Sequence, residues 1–195
     1  FTNVLFGNYI LGNIGPDDPF GGGEPGVDFD IADLASTGQI MEFRVVPAVA
    51  PDLTTPPQYL QLPAITPLPT ETMTRPLALM EMMSMDSGHD GPAQAMLGRV
   101  DASGMPMHQM WSDPITENPK VGDTEVWEFY NFTADAHPMH VHEVAFEVIN
   151  REGLVLDELT GEPVRPVQLI GNVRPPEAWE TGFKDTVTAY PDQVT

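Results

Sequence analysis

Proline sets the strongest limit on what this chain can fold into. Its 195 residues include 21 prolines and 17 glycines, and residues 47–76 alone carry eight of the prolines, Pro56-Pro57 among them. Proline has no N–H to give to a helix or a sheet ladder, and its fixed φ breaks both. Short strands joined by turns are therefore favoured over long helices, and 47–76 lacks many of the donors that a sheet ladder needs. The stretch reads as an interdomain linker between 1–46 and 77–195, with many short strands joined by turns on either side. The predicted fold class is all-β.

Hydrophobic alternation places those strands. Val4 to Leu11 is a candidate, followed by a loop from Gly12 to Gly38 that contains Gly21-Gly22-Gly23. In Gln39 to Val46, Met41, Phe43 and Val45 fall on one face and Glu42 and Arg44 on the other, the period-2 pattern of a half-buried strand. Past the linker, Arg75 to Met83 and Ala95 to Val100 are weaker candidates. Glu125 to Tyr130, Met139 to Ile149 and Asp185 to Ala189 are clearer. If 139–149 is a regular strand, His140, His142, Val144, Phe146 and Val148 share one face, while Glu143 and Glu147 lie on a solvated one and take no role.

Charge narrows the partners. Asp and Glu number 29 against 8 Lys and Arg, a formal net charge of -21. Such a surface repels phosphate backbones and anionic membranes, so nucleic acid is not a predicted partner. It also suits a high-salt environment, where screening relieves the self-repulsion. No apolar run approaches the roughly 20 residues of a membrane-spanning helix. The chain has no cysteine and hence no disulfide. Its start, Phe1-Thr2-Asn3-Val4, has neither an initiator methionine nor a basic leader, and reads as beginning mid-protein or after processing.

Chemistry concentrates at His137-Pro138-Met139-His140-Val141-His142, which holds three of the five histidines. Imidazoles two apart on a strand project the same way, so His140 and His142 can reach metals held in one cluster. His137 is an odd step away and precedes Pro138, which is expected to end the regular pleat. It should therefore point elsewhere and serve a separate metal. Imidazole suits copper and zinc, and residue chemistry alone leaves that choice open.

These residues, with Trp127 and Asn131 before them, Asp113-Pro114-Ile115-Thr116-Glu117-Asn118-Pro119-Lys120-Val121-Gly122 upstream and Lys184-Asp185-Thr186-Val187 downstream, resemble the third cupredoxin domain of multicopper oxidases. The likeness is to the bacterial spore-coat laccase and bilirubin oxidase branch. Gly38 to Val46 resembles the last strand of the second domain there. The resemblance implies an incomplete Greek-key cupredoxin sandwich at 77–195, preceded in 1–46 by the closing strands of another. It implies copper as cofactor, with His137 on the type 1 copper, His140 on type 2 and His142 on one of the type 3 pair. The implied activity is one-electron oxidation of phenolic-type or metal-ion substrates, coupled to four-electron reduction of O2 to water, by a secreted, periplasmic or cell-surface enzyme. The family's His-Cys-His run and first-domain histidines are absent here. Companion segments are expected to supply them, and this chain alone to be inactive.

Other features carry less. Eight of the 11 methionines fall between Met80 and Met110, alongside His89 and His108. Thioethers bind Cu(I), although flexible core filling is the more economical reading. Asn131-Phe132-Thr133 fits a glycosylation acceptor by spacing alone, and Asp185 is a candidate to orient a metal ligand, although turn or strand-end pairing is the more economical reading. The alternative function is a non-catalytic cupredoxin-like module that binds copper or zinc or docks a partner.

Overall fold

A computed structural model describes residues 4–86, 88 and 91–195. The chain is all-β, as the proline content requires; its only helical elements among those residues are the 3-10 turns Pro57–Tyr59 and Ala178–Glu180. No helix there is long and apolar enough to cross a membrane. The chain forms two compact units, Phe1–Thr66 and Pro67–Thr195.

In the first unit, β1 (Gly7–Gly12) pairs antiparallel with β2 (Gln39–Val45), Gly7 opposite Val45 and Gly12 opposite Gln39. The Gly- and Asp-rich loop between them is pinned by backbone bonds from Asn13 N–H to Gly38 (2.8 Å) and from Ala32 N–H to Gly15 (2.8 Å). The alternation in β2 is real, with Arg44 and Glu42 ion-paired on the polar face. Its apolar face is only partly covered: Phe43 and Val45 are half-buried, whereas Met41 is 51% exposed.

The second unit contains β3 (Met73–Met83), β4 (Pro92–Val100), β5 (Pro106–His108), β6 (Glu125–Asn131), β7 (His137–His140), β8 (Glu152–Gly153), β9 (Thr186–Ala189) and β10 (Gln193–Val194). Six strands form an open sheet in the order β5-β4-β3-β6-β10-β8, and β7 pairs with β9 in a second sheet. β3 and β6 run parallel, Met73 beside Glu125, Pro76 beside Glu128 and Leu79 beside Asn131, so residues 73–76, expected as the end of the linker, belong to an internal strand. That join is stapled by Arg75, whose guanidinium grips the Glu125 carboxylate through Nε (2.6 Å) and a terminal nitrogen (2.8 Å), while Trp127 Nε1 donates to the same carboxylate at 3.0 Å. These bonds hold Glu125 down to a pKa of about 2, the Arg75 hydrogen bond contributing most.

Strand alternation splits the core in two. Ala78, Val100, Tyr130, Leu154 and Val194 cluster on one face of the large sheet, with Met80 packed against them. Leu77, Leu79 and Phe129 turn to the other face, where they meet Ala189 of β9 and, partly buried, Met139 of β7. The small sheet therefore lies over the second face, which makes a two-layer sandwich. Neither sheet closes on itself.

One expected strand is not continuous. Instead of running from Met139 to Ile149, β7 stops at His140. Glu143 takes a left-handed conformation (φ 65°), which costs a non-glycine residue about 1–2 kcal/mol and breaks the pleat. Pairing resumes only at Phe146, which exchanges two 2.8 Å backbone bonds with Lys184. Residues 142–145 thus bulge out of the ladder.

Candidate metal centre

The loop between β6 and β7 is organised around one buried side chain. Asn131 is fully enclosed, and its Nδ2 donates to the carbonyls of Asp135 (2.7 Å) and Ala189 (3.0 Å). Its Oδ1 accepts the N–H (2.9 Å) and the hydroxyl (2.8 Å) of Thr133. Every polar group of the amide is used, so the side chain is no glycosylation acceptor in this fold. It ties the end of β6 to β9 and sets the turn that leads to His137.

That network also fixes the His137 tautomer. Thr133 Oγ1 lies 2.6 Å from His137 Nε2. Two oxygens 2.8 Å apart, Thr133 Oγ1 and Asn131 Oδ1, require a proton between them, and only the hydroxyl can provide it. The hydroxyl must then accept from the imidazole. The bond therefore puts a proton on Nε2 of His137, and the ring in its neutral form presents its lone pair on Nδ1.

His140 is held the opposite way round. Its Nδ1 lies 2.7 Å from the Asp185 carbonyl oxygen, which can only accept, so the proton sits on Nδ1 and Nε2 is the free donor atom. The same carbonyl takes the Val141 N–H at 3.1 Å, and the Thr186 hydroxyl, 3.1 Å from Nδ1, donates to Asp185 Oδ1 at 3.0 Å. Asp185 does orient a histidine, but through its main chain rather than its carboxylate.

His137 and His140 diverge as their odd spacing requires, without the break in the pleat expected at Pro138. His137 lies inside the pleat, opposite Ala189, and Pro138 stays in the strand opposite Thr188. Plain alternation then turns His137 and Met139 toward the interior and Pro138 and His140 outward, which is the burial pattern seen along β7. His142 is brought beside His140 by the bulge rather than by strand parity. Their rings stand 5.0 Å apart between centroids at 62°.

The donor atoms suit a borderline or soft divalent metal: they are imidazole nitrogens, and those of His137 and His140 are oriented by hydroxyl and carbonyl oxygens. Each place offers part of a shell. No group of three or more His, Cys, Asp or Glu side chains among the described residues converges on one point. A cleft of about 630 Å³ between β6 and the 144–150 segment is lined by Trp127, Phe129, Met139, Val144 and Phe146 and by none of the histidines. The sequence reading missed Thr133, although its place four residues before a histidine and two after an asparagine was a signal for such a bridge.

Residues 74–195 match the model of the multicopper oxidase family. The laccase of Bacillus stratosphericus is 39% identical over 105 residues, covering 51% of this chain and 20% of that protein. The laccase of Bacillus subtilis (strain 168) is 36% identical over 105 residues with the same coverage. The multicopper oxidase LPR2 of Arabidopsis thaliana is 37% identical over 89 residues, 46% of this chain and 13% of that protein. The chain thus spans about a fifth or less of the length of these relatives. The open sandwich is an incomplete cupredoxin-like domain, the family match takes in most of the residues, and on these grounds the chain belongs to the multicopper oxidase family.

Proposed function

We propose that this chain supplies one histidine of an electron-accepting copper site and two of an oxygen-reducing cluster in a laccase-like oxidase. The observation that carries the reading is the opposed presentation of the histidines: His137 offers Nδ1 on the inner side of β7, while His140 offers Nε2 on the outer side beside the His142 ring. In this assignment His137 holds type 1 copper, His140 type 2 and His142 one of the type 3 pair. Bound copper would supply the one-electron chemistry by which a phenolic or metal-ion donor is oxidised and O2 is reduced to water.

The chain's own residues do the positioning. Thr133, braced by Asn131, holds the His137 ring against rotation. The Asp185 carbonyl and the Thr186 hydroxyl do the same for His140, and the left-handed Glu143 fixes where His142 leaves the ladder. Outer-shell bonds of this kind set the basicity of a ligand as well as its direction. Because the chain has no cysteine, the thiolate that makes a type 1 site comes from a companion segment carrying a His-Cys-His run. The acidic composition and the copper chemistry support the reading of a secreted, periplasmic or cell-surface enzyme working in a high-salt medium.

The test uses the full-length protein. Copper content, the blue absorption of a thiolate-bound copper, and O2 uptake with a phenol and with Mn(II) are measured on the parent and on two variants. His137→Ala is expected to bleach the blue band. His140→Ala is expected to keep the band and lose O2 uptake. A colourless parent that holds zinc or no metal would overturn the oxidase reading in favour of a non-catalytic module.

A further inference from the structure

The methionine-rich stretch takes on a definite pattern once strand register is known. β3 and β4 pair antiparallel with Met80 directly opposite Met96, Ala78 opposite Gly98 and Met82 opposite Gln94. β4 pairs with β5 so that Gly98 lies opposite His108. Directly opposed residues share a face, and so do residues two apart on a strand. Met80, Met82, Met96 and His108 therefore lie on one face across three strands, while Glu81 turns to the other. A backbone bond from Gln109 N–H to the Leu97 carbonyl (3.0 Å) carries this register one residue past β5, which brings Met110, 49% exposed, to the edge of the same patch.

Gly98 opens the middle of the patch. A Cβ there would run into the Met107 carbonyl, the terminal methyl of Met80 at 2.8 Å and the Cα of His108 at 3.0 Å. The Met80 side chain thus lies across β4 over Gly98, with its end next to the His108 backbone. Met80 and Met96 are half-buried and His108 is exposed, so the group has a sheltered floor and an open side. The patch is also separate from the β7 histidines. It shares a face with Ala78 and the first core cluster, whereas β7 and β9 pack on the opposite face of the sheet.

Packing alone calls for apolar side chains here, but not for thioethers specifically nor for an imidazole among them. Two thioethers and an imidazole form a soft donor set that has little affinity for calcium, magnesium or manganese, and the Asp113 carboxylate at the rim is taken up by the Met110 N–H at 2.8 Å. We propose that Met80, Met96 and His108, with Met110 at the rim, bind a soft monovalent cation, copper(I) or its redox-inert stand-in silver(I). The net charge of -21 raises the local concentration of any cation at this surface. The proposal is independent of the oxidase reading.

The experiment is run on a chain whose His137, His140 and His142 are all alanine, so that binding at β7 does not contribute. Copper(I) is titrated against a chromophoric copper(I) chelator under reductant, and the methionine methyl signals are followed by NMR as silver(I) is added to the same protein. One equivalent is expected to bind, and the Met80 and Met96 methyls to move while Met41 and Met73 stay in place. Met96→Leu conserves volume at a half-buried position and His108→Ala is a surface change, so both should fold. Each is expected to weaken copper(I) binding by at least the about 10–100-fold that even an outer-shell partner contributes to a metal site. Unchanged affinity in both variants, or silver(I) shifts confined to other methionines, overturns the proposal.

Discussion

Asn131→Ala is the sharpest perturbation of the metal-bearing end of the fold. The side chain is fully buried and makes four hydrogen bonds, to Asp135 O, Ala189 O, Thr133 N–H and Thr133 Oγ1. At about 0.5–1.5 kcal/mol net each, their sum lies between about 2 and 6 kcal/mol. Position within that range depends on what rehydrates. Asp135 is half-buried and its carbonyl can turn toward water, whereas Ala189 is completely enclosed and water cannot replace the partner its carbonyl loses. A loss of about 3–4 kcal/mol is expected, read as a lower midpoint in urea unfolding with an unchanged slope. The comparison is Asn13→Ala, which removes one exposed bond to Gly15 N–H and should cost under about 1 kcal/mol. The imidazole nitrogens give a second readout. Parent His137 should show the Nε2–H tautomer in nitrogen chemical shifts, and Thr133→Val should abolish that preference while leaving His140 in its Nδ1–H form. An Asn131→Ala loss below about 1 kcal/mol, or the same tautomer at both histidines in the parent, would refute the network as described.

Arg151→Ala removes one partner of a buried ion pair, whose side chains are 4% and 12% exposed, and strips a hydrogen bond from the Thr188 carbonyl of β9. The expected cost is about 3–5 kcal/mol by thermal unfolding, and the double change Arg151→Met with Glu180→Met should recover part of it, because neither charge is then stranded. A double variant less stable than Arg151→Ala would count against the pair as the cause. Glu125→Gln tests the β3–β6 staple through pH. The folded-state pKa of Glu125 lies near 2, well below the usual glutamate value of about 4.5, so its contribution is fully present above about 4.5 and disappears as pH falls toward 2. The variant should flatten that acid limb of the stability profile, and an unchanged limb would show that other carboxylates dominate it.

What the sequence revealed and what it concealed divide along a physical line. Local alternation was legible: β2, β6 and the β3–β4 hairpin follow it, and parity within β7 separates His137 from His140. The effect of Pro138 was misjudged because the residue before a proline is pushed toward extended backbone, a conformation that a strand accepts. With one neighbouring strand, β7 also loses little to a missing N–H. The bulge at 142–145 was invisible for another reason. Phe146 and Val148 are half-buried and Glu147 is exposed, so the period-2 pattern resumes after the break, and a pattern cannot register one left-handed residue at Glu143. Contacts between distant positions lay out of reach altogether, whether Arg151 with Glu180 or the two-residue strands β8 and β10. The orientation of the histidines falls in that class. Both tautomers depend on acceptors that can only accept, and for His140 that acceptor is the main-chain carbonyl of Asp185, which any residue would provide. Residue identity at 185 therefore says nothing about whether His140 is oriented, while the fold that brings β9 alongside β7 decides it.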